Sequence, residues 1–337
     1  MEAVGNRIEW LDVAKGIGIF FVTFAHLCPN FQIETHIYSF HMFFFFLLSG
    51  FLYKHPDNPN EFAKKRVKSL LAPFLFWNVV GAVFDILVNH TDLGTIVLKF
   101  FMINGDIGFN APIWFLFTLF LTEMLYMAVH HYSKEEDEKW LLIASAAIGF
   151  LMANQNVTFK LGIVPVAYLF YSIGAVAKKY ADKIKPNVFA IIAALAVNIA
   201  FGVIMNIRIS VIVCSYGNYL NCLIAGISGI ALYIMLSQLI SAKPKLKLAS
   251  RLFSYLGKNT VPIMCMQYLF FGTYNLICMD LLGHNESIGS MRSTIKAFAL
   301  SVITIFMILM IAQIIKKIKL KPLMTVFGVK DSNENAS

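Results

Sequence analysis

Three residues that are costly inside hydrocarbon open the chain. The run LDVAKGIGIFFVTFAHL holds Asp12, Lys15 and His26 within an otherwise apolar segment. Asp or Lys at the centre of a membrane helix costs about 2.5–3.5 kcal/mol on insertion scales, so such residues mark binding or reaction sites. Lys15 and His26 stand eleven residues apart. At about 100° per residue they return to within about 20° of one helix face, about 16 Å apart along the axis. One stripe thus carries a cation at one end and an imidazole at the other. An imidazole, with a pKa near about 6.5, suits general-base work. Asp12 and Lys15, three apart, share a face and are placed to pair. Asp12 reads equally as the polar end of the segment, and the stem of Lys15 is long enough to snorkel to an interface.

The next apolar run, HIYSFHMFFFFLLSGFLY, follows after about ten residues and is expected to lie antiparallel to the first. His41 then comes to a depth like that of His26, with Ser49 and Gly50 about 12 Å further along. A Ser-Gly pair in a Phe-rich helix also serves plain close packing. The stretch EFAKKRVKSLLAPFLFW leads Lys64, Lys65, Arg66 and Lys68 into a third apolar run. Lipid headgroups are one partner for such a cluster, and a phosphate-bearing ligand is the sharper one. Trp114 opens a fourth run, at a place where aromatic-belt anchors are common. Asp85 and Glu123 fall inside apolar runs, and the sequence names no partner for either. Late in the chain, YLGKNT places Lys258 and Asn259 before Thr260. Thr260 is a candidate helix cap, and a helix start beside Lys258 is a candidate anion site. The spaced glycines of a phosphate loop, the GxSxG elbow and the HExxH pair do not occur.

These residues must be positioned by membrane helices. The 337 residues are 58% hydrophobic and 14% charged, with a mean hydropathy of +0.69, whereas soluble domains carry about 25% charged residues. The apolar runs predict an all-α, polytopic helical bundle with ten spans, near 11–28, 37–53, 70–89, 113–131, 140–154, 161–177, 188–205, 217–240, 260–279 and 295–315. Residues 1–330 read as a single membrane-embedded domain and 331–337 as a polar, disordered tail. With the N-terminus inside, only Lys99, Lys160, Arg208, Arg292 and Lys296 of the 28 Lys and Arg fall outside, with Lys15 within the first span. That asymmetry places both termini in the cytoplasm. It also assigns the net charge of +9 to topology and anionic lipid rather than to nucleic acid. The five cysteines form no CxxC pair and no cluster with metal-ligand spacing, so they read as small hydrophobes and no metal is expected. The N-terminus lacks the pattern of a cleaved signal peptide.

Five segments, in order, resemble the acyltransferase type 3 family of membrane O-acyltransferases, and most closely its fucose 4-O-acetylase-like branch. RIEWLDVAKGIGIFFVTFAH resembles that branch's first helix, with the basic residue, ten residues and then His carried by Lys15 and His26. SFHMFFFFLLSGFLY resembles the second-helix motif, AKKRVKSLLAPF the basic stretch leading to Pro, APIWFLFTLF the WFL helix and YLGKNT a late motif. Gln267 stands where the family often has His, and Phe43 follows Met42 where Pro is expected.

The resemblance implies transfer of an acyl group, usually acetyl, from acyl-CoA to a hydroxyl of a glycan, a lipid-linked sugar or another acceptor, in a bacterial plasma membrane. It implies His26 as the general base, with His41 orienting His26 or the sugar, or helping to stabilise the oxyanion. Lys65, Arg66, Lys68 and Lys258 would hold the phosphates of acetyl-CoA or another acyl-CoA, and Lys15 would guide its entry. Asp12, Ser49, Trp114 and Asn259 are expected to bind substrate or support the site. Two other readings stand beside this one. A transporter or flippase would also use the buried Asp12, Lys15, Asp85 and Glu123, but no inverted repeat is evident. A non-catalytic component of polysaccharide export would not need the Lys15/His26 pair.

Overall fold

The computed structural model describes residues 8–102, 110–134, 137–155, 157–180, 186–275 and 291–329. Arg7, Lys183, Lys185, Cys278, Lys330 and the expected tail at 331–337 lie outside the described residues. Among the described residues the regular elements are helical, and the sole β-type feature is a single bridge between Ser210 and Ser215. The α-helices in chain order are α1 (Glu9–Ala25), α2 (Phe31–Tyr38), α3 (His41–Phe51), α4 (Pro59–Arg66), α5 (Ala72–Asn89), α6 (Leu93–Met102), α7 (Trp114–Tyr132), α8 (Glu138–Leu151), α9 (Val164–Lys178), α10 (Val188–Asn198), α11 (Tyr219–Ala242), α12 (Lys247–Lys258), α13 (Thr260–Asn275), α14 (Met291–Ile318) and α15 (Lys321–Val326).

Five helical stretches among the described residues are long and apolar enough to cross a membrane: Pro59–Asn89, Ala111–Tyr132, Thr158–Lys178, Tyr219–Ala242 and Met291–Ile318. The other five expected spans are shorter helices. α1 ends at 17 residues and α8 at 14. The expected 37–53 span is interrupted where Ser39 Oγ donates to the His36 carbonyl and Phe40 takes φ −139°, which separates α2 from α3. α10 is prolonged by a π-helical turn, Ile199–Ile204. α13 is helical as far as Asn275, and the rest of the expected 260–279 span lies outside the described residues.

α1 is the hub of the bundle, packed against α2, α3, α11, α12, α13 and α14. Its closest approach is to α12. A Cβ on Gly16 would fall on the Phe253 carbonyl, and one on Gly257 would fall on the Asp12 carbonyl. The same device joins α3 to α9, where Gly50 lies on the Tyr171 carbonyl and Gly174 on that of Leu47. Without a hydrophobic drive between helices in lipid, such close backbone contact is what holds them together. Phenylalanine contributes heavily to the buried interior, with Phe43 stacked on Phe170 at 4.4 Å between ring centroids.

The long helical stretch Pro59–Asn89 is not uniformly α. Between α4 and α5 lies a π-helical turn, Val67–Leu71. Pro73, just beyond it, has no N–H to donate, and its ring crowds the carbonyl four residues back, at Ser69. A widened turn relieves that conflict, and such turns recur at functional sites.

Candidate active site

A cavity of about 950 Å³ opens between α1, α3, α4, α7, α13 and α15. Its wall includes Lys15 and His26 of the α1 stripe, His41 and Ser49 of α3, and Lys65, Arg66 and Lys68 around the π-helical turn. Trp114, at the start of α7, completes the set of expected residues that reach it. Eight of the residues expected at the site therefore meet on one surface. Lys65, Arg66, Lys68 and Ser69 all reach the cavity although they are near neighbours in sequence. Lys65 and Arg66 end α4, and Lys68 and Ser69 lie within the π-helical turn that follows.

Ser49 and Gly50 divide the two readings of their motif between them. Ser49 lines the cavity, while Gly50 makes the close contact with α9. Three other expected residues do not reach the wall. Asp12 is buried beneath α12, where Gly257 meets its backbone. Lys258 is exposed at the end of α12, and the Asn259 side chain donates back to the Tyr255 carbonyl at 2.8 Å. From this segment it is Thr260, Val261, Met264 and Tyr268 that line the cavity. Thr260, Met264 and Tyr268 recur every four residues, one face of α13.

The two histidines are held differently. His41 is buried, and its Nδ1 lies 2.8 Å from the Ile37 carbonyl. A carbonyl only accepts, so Nδ1 carries the proton and the neutral ring presents the Nε2 lone pair. Neutral His41 can accept a hydrogen bond through Nε2 but cannot donate one, which excludes it as an oxyanion donor in that form. His26 stands at the C-terminal cap of α1 and is half-buried. Its Nδ1 is 3.1 Å from the Tyr268 hydroxyl and 3.3 Å from that of Tyr38. Hydroxyls donate or accept, so these two set the ring's orientation and leave Nε2 uncommitted. The Tyr268 ring meets His26 edge-on at 5.1 Å, and Tyr38 meets His41 edge-on at 5.0 Å. Tyr38 thus touches both imidazoles.

Tyr38, Tyr268 and Arg208 also line the cavity. None of the three was singled out as a site residue by sequence reasoning. Arg208 stacks over the Tyr38 ring, its guanidinium carbon 4.7 Å from the centroid, and pairs with Glu34 at 2.7 Å. Sequence held a signal for Arg208, because it is one of the few basic residues that break the inside bias. The tyrosines carried none, since a Tyr beside an apolar run is ordinary.

Both intramembrane carboxylates find partners. Asp85 accepts from the Asn89 amide at 2.5 Å. Glu123, on the cavity wall, lies 2.7 Å from Arg66 Nε, although the N–H is not aimed along that contact. At the end of the described chain, Trp77 Nε1 donates to the Val326 carbonyl at 2.9 Å and packs against Phe327. That anchor brings Met324, Thr325, Gly328 and Val329 to the cavity. Cys28, Cys214, Cys222 and Cys265 are buried free thiols.

No curated protein and no solved structure matches the chain. The family described as an acyltransferase domain, of type 3, matches residues 8–315, which include every residue expected at the site. This match spans most of the chain, and the chain belongs to the acyltransferase type 3 family of membrane acyltransferases.

Proposed function

We propose that the protein transfers an acyl group, acetyl in the first instance, from acyl-CoA to a hydroxyl of a glycan or lipid-linked sugar, without a metal. The observation that carries this reading is the meeting of Lys15, Lys65, Arg66 and Lys68 with His26 and His41 on one cavity. Acyl-CoA is anionic at its nucleotide end and reactive at the tip of a long arm. Lys15 and an imidazole about 16 Å apart along α1, with a basic cluster on the same cavity, match that shape.

In this reading Arg66, Lys65 and Lys68 hold the phosphates and Lys15 lines the path of the arm. His26 Nε2 takes the proton of the acceptor hydroxyl as its oxygen attacks the thioester carbonyl. The C–S bond then breaks, and the departing thiolate recovers the proton from His26. Tyr38 and Tyr268 keep the His26 ring in place through Nδ1. His41 Nε2, fixed as an acceptor, orients the sugar. Ser49 and Trp114 shape the wall, whereas Asp12, Lys258 and Asn259 support the α1–α12 packing and the entry to α13.

The same reading places the chain across a bacterial plasma membrane ten times with both termini in the cytoplasm. The five shorter helices then cross partly within protein rather than lipid. Transfer is tested by incubating purified protein with isotopically labelled acetyl-CoA and a panel of neutral and charged glycans. A mass increase of one acetyl group on an acceptor hydroxyl is expected. Acetyl-CoA that is bound but only hydrolysed, with every acceptor class unmodified, would remove glycan transfer as the function.

A further inference from the structure

Glu123 is 2% exposed within the membrane-crossing stretch Ala111–Tyr132, and its counter-charge is Arg66. A carboxylate is costly in such a place and calls for a reason. Among the described residues that line the cavity, Glu123 is the sole carboxylate, against Lys15, Lys65, Arg66, Lys68 and Arg208. A net-cationic cavity fits an anionic ligand, so a carboxylate on its wall works against binding unless it does something else.

The surroundings of Arg66 show what that is. Its guanidinium carbon lies 4.9 Å from the centroid of the Phe62 ring, one helical turn earlier on the same face. Its Nε lies 2.7 Å from Glu123 as an ion pair, off the N–H axis. The Phe62 ring covers the group, and the Glu123 charge sits at its Nε end. The two terminal amino groups form the remaining edge, and that fork matches two oxygens of a phosphate. Among the described residues, Glu123 and Phe62 are the partners recorded for Arg66. Tyr53 and Tyr171 are the ionisable neighbours of Glu123 and carry no counter-charge.

We propose that Glu123 is a positioning residue, which holds the Arg66 guanidinium so that its terminal amino groups face the phosphate-bearing end of the acyl donor. This rests on the acyl-CoA reading above. A carboxylate that only bolts α4 to α7 would support every substrate alike. A carboxylate that aims Arg66 matters only to a donor with phosphates.

The test compares acetyl-CoA with a phosphate-free thioester, S-acetyl-N-acetylcysteamine, in the full-length protein. For Glu123→Gln, KM for acetyl-CoA is expected to rise by about tenfold or more, the scale of one charge-assisted contact. kcat and all kinetics with the phosphate-free thioester should stay within about twofold of wild type. Arg66→Gln should raise KM for acetyl-CoA at least as much, and the double variant should be no worse than Arg66→Gln alone. Glu123→Asp, which keeps the charge, should recover part of the acetyl-CoA KM and serves if the Gln variant does not fold. Equal losses on both thioesters would reduce Glu123 to a structural bolt, and unchanged KM on both would remove its role. If wild type shows no preference for acetyl-CoA over the phosphate-free thioester, the phosphate contact itself fails. If wild type turns over neither, the acyl-transfer reading fails first.

Discussion

Removing the hydroxyls that hold His26 should slow catalysis in a graded, non-additive way. Tyr268 and Tyr38 both approach Nδ1 of His26, at 3.1 and 3.3 Å. A ring nitrogen has one site in its plane, so either hydroxyl satisfies it and both together overdetermine it. Tyr268→Phe or Tyr38→Phe alone removes one of two alternative partners. The net worth of such a bond is about 0.5–1.5 kcal/mol, but the remaining hydroxyl takes the place of the lost one, so each single variant should lose about twofold or less in kcat. The double variant leaves Nδ1 of a half-buried imidazole without either hydroxyl. That costs about 1–3 kcal/mol, or about 5- to 160-fold in kcat, more than the product of the single effects. Phe keeps the rings that pack on His26 and His41, so the bundle should keep its melting temperature. The assay is steady-state thiol release at saturating acetyl-CoA, with KM for acetyl-CoA determined alongside. A double variant with wild-type kcat, or a loss confined to the acetyl-CoA KM, would refute the assignment of these hydroxyls to His26.

Two further outcomes follow from the packing and the charge. Gly174→Ala puts a Cβ onto the Leu47 carbonyl at the α3–α9 contact, so thermal unfolding in detergent should show a loss of about 1–3 kcal/mol. Retained stability would mean that α9 shifts without cost. Lys65→Gln with Lys68→Gln should raise KM for acetyl-CoA and flatten its dependence on salt, because both lysines line the cavity and screening by ions acts on such contacts. A steep salt dependence left intact in that variant would place the phosphates elsewhere.

Much of the site was legible because membranes penalise polarity. Lys15, His26 and His41 stand out in apolar runs, Arg66 stands out in the basic stretch that enters one, and each reaches the cavity. The eleven-residue spacing of Lys15 and His26 translated directly into one wall. What sequence could not supply was pairing across the bundle. Glu123 announced itself as costly, yet its partner Arg66 lies 57 residues earlier, brought close by the turn between α4 and α5. Tyr268 and Tyr38 are chemically informative only once His26 is seen beside them. The GKNT segment reaches the cavity through Thr260 rather than through Lys258 or Asn259, and the α13 stripe that follows does the rest of the lining. Hydropathy likewise cannot see a break such as Ser39–Phe40, which a side-chain bond to the preceding turn creates inside an apolar run.

The central claim is that the cavity is an acyl-transfer site with His26 at its chemical end. It is tested most directly by thiol release from acetyl-CoA by the purified protein in the presence of acceptor, wild type beside His26→Ala. The account predicts turnover by wild type and a fall in kcat of about 10²–10⁴-fold in the variant, with acetyl-CoA binding retained. Full turnover by a correctly inserted His26→Ala protein would contradict it.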